Sequence, residues 1–119
     1  MEEVEGVLGP DVIRFVDDYV RSLLAWDILV YFHRNPGSAL DTPDLAVRLG
    51  RRIEEVQPEL DALCGGQILA CENGVVQYMP TPEQAAHVDE FVRACQDRSR
   101  RLALIALVLQ SIGPSRPPR

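Results

Sequence analysis

The stretch DTPDLAVRLGRRIEEVQPELDAL, residues 41–63, constrains the fold more than any other part of the chain. Thr42 is a good helix N-cap with Pro43 at the first helical position, and Leu45, Ala46 and Leu49 follow at helical spacing. A second apolar set with the same spacing follows Gly50, and glycine is the residue that adopts a positive φ at little cost. The stretch therefore predicts two helices joined by a tight turn at Gly50.

The second of these helices contains a proline. Pro58 cannot donate a backbone hydrogen bond, so it is tolerated where the first amide groups of a helix have no partner. We therefore expect the regular helix to begin near Glu54 or Glu55.

The segments on either side complete a mainly helical chain. Asn73-Gly74 between QILAC and VVQYM is a strong signal for a two-stranded hairpin. Helical spacing predicts an N-terminal helix from Pro10 to about Phe32, which either runs on or bends at Ser22. A capping box at Thr81–Gln84 begins a long helix over 82–112. The predicted fold class is mainly α with a small two-stranded β-hairpin (α+β).

This order of elements resembles the winged helix-turn-helix superfamily of bacterial transcription regulators. The family's motif has a small residue where the two helices cross, Gly in the turn four positions later, and an aliphatic residue six further on. Ala46, Gly50 and Val56 match these positions. The resemblance covers about residues 23–79, and the C-terminal helix resembles the dimerisation helix of MarR- and PadR-type regulators. It implies a winged helix-turn-helix with an N-terminal helix and a long C-terminal helix.

The resemblance also divides the chain into segments. We predict an acidic arm over residues 1–8, a winged-helix domain over 9–80, a C-terminal oligomerisation helix over 81–112 and a disordered Pro/Arg tail over 113–119. Within the domain, the helix-turn-helix spans about 42–64 and the wing about 67–79.

In DNA-binding members of the superfamily, the second helix of the motif enters the major groove. Carried over to this chain, the resemblance predicts that Arg48, Arg51, Arg52 and Gln57 contact DNA. Arginine is the usual partner of guanine, and glutamine is the usual partner of adenine. The implied function is that of a DNA-binding transcriptional regulator acting as a homodimer on double-stranded DNA.

The charge of the same region favours a different function. The formal net charge is −6, and residues 44–79 carry three arginines against six acids. Neutralisation of phosphates supplies most nonspecific DNA affinity, and the predicted wing has no basic residue. Acidic residues in the first turn of a helix also interact favourably with the helix dipole, so their presence does not distinguish DNA binding from protein interaction. The alternative function is a winged-helix protein-protein interaction module that does not bind DNA and uses its acidic second helix and its apolar C-terminal helix.

The C-terminal helix supplies the predicted subunit interface. Its apolar residues follow a three-four seam typical of helix pairs, and the segment LALIALVL is apolar on all sides. Such a surface must be buried, either against residues 12–32 of the same chain or against a partner, and we expect both. The predicted oligomer-interface residues are Phe91, Leu102, Ile105, Leu109 and Ile112.

The remaining residues indicate no catalytic chemistry. No metal-ligand spacing, nucleophile set or phosphate loop is present, so we expect no enzyme, no metal and no cofactor, and no effector can be named. Cys64, Cys71 and Cys95 make no disulfide framework and are expected to be small buried residues, with a thiol sensor as the alternative. The acidic N-terminus is no secretory signal and the longest apolar run, Leu102–Leu109, is too short to span a bilayer. We therefore expect a cytoplasmic protein.

Overall fold

The computed structural model describes residues 8–112, with side chains up to Gln110. This part of the chain forms six α-helices and one antiparallel sheet, which is the predicted α+β class. In chain order the elements are α1 (Pro10–Tyr19), α2 (Leu23–Arg34), β1 (Ala39–Asp41), α3 (Thr42–Leu49), α4 (Ile53–Gly65), β2 (Leu69–Glu72), β3 (Val75–Tyr78), α5 (Pro82–Gln96) and α6 (Arg98–Ile112). The predicted tail at 113–119 and residues 1–7 of the predicted arm lie outside the described residues.

Side-chain caps fix where several helices begin. Ser22 Oγ accepts a hydrogen bond from the amide of Ala25 at 3.0 Å, so the N-terminal helical segment is two helices and not one. The predicted capping box before α5 is confirmed, because Thr81 and Gln84 each accept from the other's backbone amide. The prediction of Thr42 as the cap of α3 is wrong by one residue. Asp41 Oδ1 accepts from the amide of Asp44 at 2.8 Å.

The sheet has the strand order β1-β3-β2. The predicted hairpin is confirmed: β2 and β3 pair in antiparallel register around Asn73 and Gly74, whose φ angles are 53° and 79°. The prediction of only two strands is wrong, because β1 pairs with the other edge of β3, with Leu40 opposite Val76. A strand of three residues is too short to show the alternation of apolar and polar residues by which strands are recognised.

The predicted single helix over 82–112 is two helices. Asp97 leaves the helical conformation with φ −97° and ψ 126°. Its carboxylate Oδ2 then accepts from the amide of Arg100 at 3.0 Å, in the manner of an N-cap for α6. The break lets α6 fold back over α1 and α2, where Leu104, Leu107 and Val108 are buried.

Aromatic rings at the centre of the core join the N-terminal helices to α5. The ring of Phe91 is fully buried, with its centroid 5.7 Å from that of Phe15 and 5.3 Å from that of Trp26. Edge-to-face and tilted contacts at this spacing are favourable beyond the apolar area that they bury. This cluster fixes α5 against α1 and α2 and leaves α3 and α4 on the outer side of the domain.

The junction after α4 has a close contact that the sequence did not predict. Gln84 Nε2 donates to the carbonyl oxygen of Gly66 at 2.9 Å and to Tyr19 Oη at 3.2 Å. A Cβ atom placed on Gly66 would lie 2.7 Å from Cε1 of Tyr19. Gly66 itself has φ −81°, and the left-handed residue after the helix is Gln67, with φ 68°. Glycine is therefore needed at position 66 because the ring of Tyr19 leaves no room for a Cβ atom, and not because of the backbone conformation.

Candidate nucleic-acid interface

The turn between α3 and α4 has the conformation expected from its glycine. Gly50 has φ 70° and ψ 34°, a left-handed conformation, and its amide donates to the carbonyl of Val47 at 3.1 Å. The amide of Arg51 donates to the carbonyl of Ala46 at 3.0 Å. Ala46 and Val56 are both buried, so the two helices are anchored to the core on either side of the turn. This geometry leaves the opposite face of α4 in solvent.

α4 begins at Ile53, and Pro58 is its sixth residue. The amide of Val56 already donates to the carbonyl of Arg52 at 3.1 Å, so regular helical bonding starts before the proline. The helix begins one residue before Glu54, close to the expected start, and Pro58 lies inside it. Pro58 has no amide hydrogen, so it cannot donate to the carbonyl of Glu54 inside the helix.

Arg51 and Arg52 are exposed in the turn before α4, and Gln57 is exposed on α4 itself. Arg51 and Gln57 already have partners within the chain. Arg51 Nη1 lies 3.6 Å from Glu55 Oε2, and Gln57 Nε2 donates to Asp61 Oδ1 at 2.9 Å. Exposed pairs of this kind contribute little to the stability of the fold, about 0–1 kcal/mol each. A phosphate or a base edge can therefore displace these carboxylates at small cost.

Glu55 holds the start of α4 in place. Its Oε1 accepts from the amide of Arg52 at 3.0 Å, which satisfies one of the unpaired amides at the helix start. This backbone hydrogen bond lowers the pKa of Glu55; desolvation opposes it, and the charges of Arg51 and Arg52 add smaller lowering effects. At neutral pH Glu55 is therefore a fixed negative charge beside the two arginines. It supports the helix, and it also weakens the positive field of the face.

Arg48 belongs to a different surface from the face of α4. It lines a cleft of about 480 Å³ between α2, the end of α3, the C-terminal part of α5 and the start of α6. Arg34 and Arg101 line the same cleft. Sequence reasoning did not single out Arg34, because its proximity to Arg48 arises only when α2 and α3 pack together.

The tip of the hairpin carries no basic side chain. Glu72, Asn73 and Gly74 are exposed, and Val75 beside them is 38% exposed. A hairpin of this composition can contact a nucleic acid through its backbone and the Asn73 amide, but it gives no charge neutralisation.

Two of the cysteines are paired, contrary to the expectation that all three are buried single residues. Cys64 near the end of α4 and Cys71 on β2 form a disulfide with a Cα–Cα distance of 6.1 Å. Cys71 is exposed. The chain reverses direction between them, and seven residues of separation in sequence give no sign of that reversal. Cys95 is free and half-buried, and burial raises the pKa of its thiol to about 11 against the opposing charges of Arg101 and Arg34.

The residues predicted for the oligomer interface fall into four groups. Leu102 and Leu109 on α6 are 59% and 46% exposed, so their side chains are available to a partner. Ile105 is partly buried against the core of its own chain. The prediction for Phe91 is wrong, because α5 faces inward and its ring is fully buried in the aromatic cluster. Ile112 ends α6, and its side chain lies outside the described residues.

The described residues contain neither a candidate metal site nor a candidate membrane-spanning helix. Between residues 8 and 110, no three His, Cys, Asp or Glu side chains are grouped so that they could hold a metal ion. None of the helices described is both long and apolar enough to cross a bilayer.

No protein-family model, curated protein or solved structure matches this chain. The function must therefore be inferred from the geometry of the residues themselves.

Proposed function

We propose that this chain is a winged helix-turn-helix protein that binds double-stranded DNA as a homodimer and acts as a transcriptional regulator. The observation that carries the proposal is the pair Arg51 and Arg52, both exposed at the N-terminal end of an exposed helix that follows a tight left-handed turn. α4 enters the major groove with this end leading.

The fold supports this role for α4. Its buried side is anchored by Val56, Leu60 and Leu63, so the opposite side is presented as a rigid surface. The hairpin of β2 and β3 follows directly and is tied to the end of α4 by the Cys64–Cys71 disulfide. A duplex that receives α4 would therefore meet the hairpin in a fixed position relative to the helix.

The local electrostatics support an anionic ligand at the start of α4. The helix dipole places partial positive charge at this end, and two guanidinium groups add to it. Glu55 offsets one of these charges and Glu54 lies beside them. Binding is therefore expected to be weak per subunit and to need two copies of α4. Arg51 and Arg52 would read guanine or contact phosphates, and Gln57 would read adenine once Asp61 releases it.

The exposed apolar residues of α6 support the homodimer. Leu102 and Leu109 are seven residues apart and therefore lie on one side of the helix. A second copy packed on the same residues would bury them in a symmetric interface.

The test compares two double variants with the same change of charge. Arg51→Ala/Arg52→Ala should weaken the binding of random genomic duplex fragments, measured by fluorescence anisotropy, by about tenfold or more. The control Arg21→Ala/Arg93→Ala removes two exposed arginines that belong to neither α3, the turn nor α4, and its affinity should stay near that of the unchanged protein. Equal losses in both variants would show that net charge and not the α4 face is responsible.

A second function is favoured by the bonds already present on α4. Because Arg51 and Gln57 are engaged by Glu55 and Asp61, the free charges of this face are mainly acidic, and Val47 beside it is 79% exposed. Such a face suits a basic protein segment with apolar side chains. The alternative predicts that a labelled arginine-rich peptide binds and that Glu54→Gln/Asp61→Gln abolishes this binding. An unchanged affinity in that variant would exclude the acidic face as the docking surface.

A further inference from the structure

Three arginines from three separate helices meet at the cleft that contains Arg48. Arg34 ends α2, Arg48 lies in the last turn of α3, and Arg101 lies in the first turn of α6. Asp27 is the single carboxylate among the described residues that line the cleft. The walls therefore carry an excess of positive charge in a protein whose net charge is −6.

Among the residues that the structure describes, the three guanidinium groups have no anionic partner. Within residues 8–110, none of them forms an ion pair or a side-chain hydrogen bond. Two of them act on the same neighbour, because the charges of Arg101 and Arg34 both oppose the effect of burial on the pKa of Cys95. Several guanidinium groups lining one cleft can form a receptor for an anion with several oxygen atoms, since each presents a planar set of donors.

Besides the arginines, the cleft is lined by apolar and aromatic residues and by the polar side chains of Asn35 and Gln96. Trp26, Val30 and Tyr31 of α2 line one side, and Leu49 and Val92 line the others. Tyr31 is half-buried, so part of its surface faces the cleft. A volume of about 480 Å³ lies in the range typical of sites for small organic ligands.

We propose that this cleft binds a small phosphorylated molecule with an aromatic ring system, of the size of a mononucleotide. The phosphate lies among Arg34, Arg48 and Arg101, and the ring lies along Tyr31 and the edge of Trp26. A phosphate monoester carries about −1.5 to −2 charges at neutral pH, which matches the excess of positive charge on the walls. The proposal does not depend on DNA binding by α4.

The position of Trp26 gives a direct measurement. It is the single tryptophan of the chain and it lines the cleft, so its fluorescence responds to a ligand bound there. The full-length protein is titrated with adenosine monophosphate, with inorganic phosphate and with adenosine, which lacks the phosphate. Adenosine monophosphate should give a saturable change at lower concentration than inorganic phosphate, and adenosine should give none.

Variants then test which residues bind. Arg34→Gln and Arg101→Gln should each raise the dissociation constant for adenosine monophosphate by about tenfold, since each loses a charged hydrogen-bonding group. Both residues are exposed, so the fold should remain intact, and Arg21→Gln is the control at an exposed arginine outside the cleft.

Four results would overturn the proposal. The first two are a titration with adenosine monophosphate that gives no saturable change, and a response to adenosine equal to that with adenosine monophosphate. The third is a loss of affinity in Arg21→Gln equal to that in the cleft variants. The fourth is that the variants at Arg34 and Arg101 lose affinity for a DNA duplex but not for adenosine monophosphate. The last result would assign these arginines to a nucleic-acid surface.

Discussion

Replacement of Gly66 by alanine tests the packing of the junction between α1, α4 and α5. The new Cβ would lie 2.7 Å from Cε1 and 3.1 Å from Cδ1 of Tyr19. The ring cannot move freely, because Tyr19 Oη accepts from Gln84 and the ring centroid lies 5.1 Å from that of Phe15. The collision must therefore be relieved by a shift of packed groups.

The magnitude follows from two opposing effects. Gly66 has φ −81°, which alanine adopts without strain, so the restriction of the unfolded chain alone would stabilise the protein by about 0.4–1 kcal/mol. Overpacking of a well-packed region costs about 1–3 kcal/mol. The net expectation is a free energy of unfolding lower by about 1 kcal/mol or more, and a melting temperature lower by roughly 4 °C.

The adjacent glycine provides a matched control. Gly65 is the last residue of α4, and a Cβ atom placed on it meets no atom within 4 Å. Gly65→Ala should therefore leave the stability unchanged or raise it by up to about 1 kcal/mol, as alanine favours a helix. Urea denaturation followed by circular dichroism measures both variants. The reasoning is refuted if Gly66→Ala is as stable as Gly65→Ala, or if Tyr19→Val in the same background does not remove the difference.

Three further predictions concern the cysteines and α6. Reduction of the Cys64–Cys71 disulfide should lower the free energy of unfolding by about 2.5 kcal/mol from loop-closure entropy alone, and equal urea midpoints for the oxidised and reduced protein would contradict this. Leu102→Glu/Leu109→Glu should give monomers in sedimentation without loss of stability, because both side chains are exposed; a mass unchanged from that of the unmodified protein would exclude this interface. Alkylation of Cys95 needs the thiolate, so its rate should rise until the pH passes about 11, whereas a plateau near pH 9 would show that the thiol is not perturbed by burial.

The elements that could be predicted from the sequence depend on interactions between near neighbours. The Asn73-Gly74 turn requires positive φ at both residues, and these two residue types adopt it most readily. The capping box at Thr81 and Gln84 is formed within four residues. Gly50 has the left-handed conformation for the same local reason.

The elements that could not be predicted depend on contacts between distant parts of the chain. β1 exists as a strand because β3 offers it a free edge, and its three residues have no periodicity of their own. The close approach of Tyr19 to Gly66 joins residues that are far apart in sequence. Asp97 is a local N-cap, but the apolar residues on both sides continue the helical spacing and conceal it.

Part of the candidate site could be predicted, because it too depends on residues close together in the sequence. Exposure of Arg51, Arg52 and Gln57 follows from the apolar residues that anchor the other side of α4. Their bonds to Glu55 and Asp61 are also local, at helical spacing of four residues, and could have been anticipated. The position of Arg48 in a cleft with Arg34 and Arg101 could not have been anticipated, because it depends on how α2, α3 and α6 pack together.

The most direct test of the DNA-binding proposal is the salt dependence of binding to a duplex. If Arg51 and Arg52 of both subunits neutralise phosphates, four contacts give a slope of about −3.6 for the logarithm of the binding constant against that of the salt concentration. Affinity measured by fluorescence anisotropy should then fall by about 150-fold between roughly 50 mM and 200 mM salt. A slope near zero, or no binding at either concentration, would contradict the proposal and favour the protein-interaction function of the acidic face.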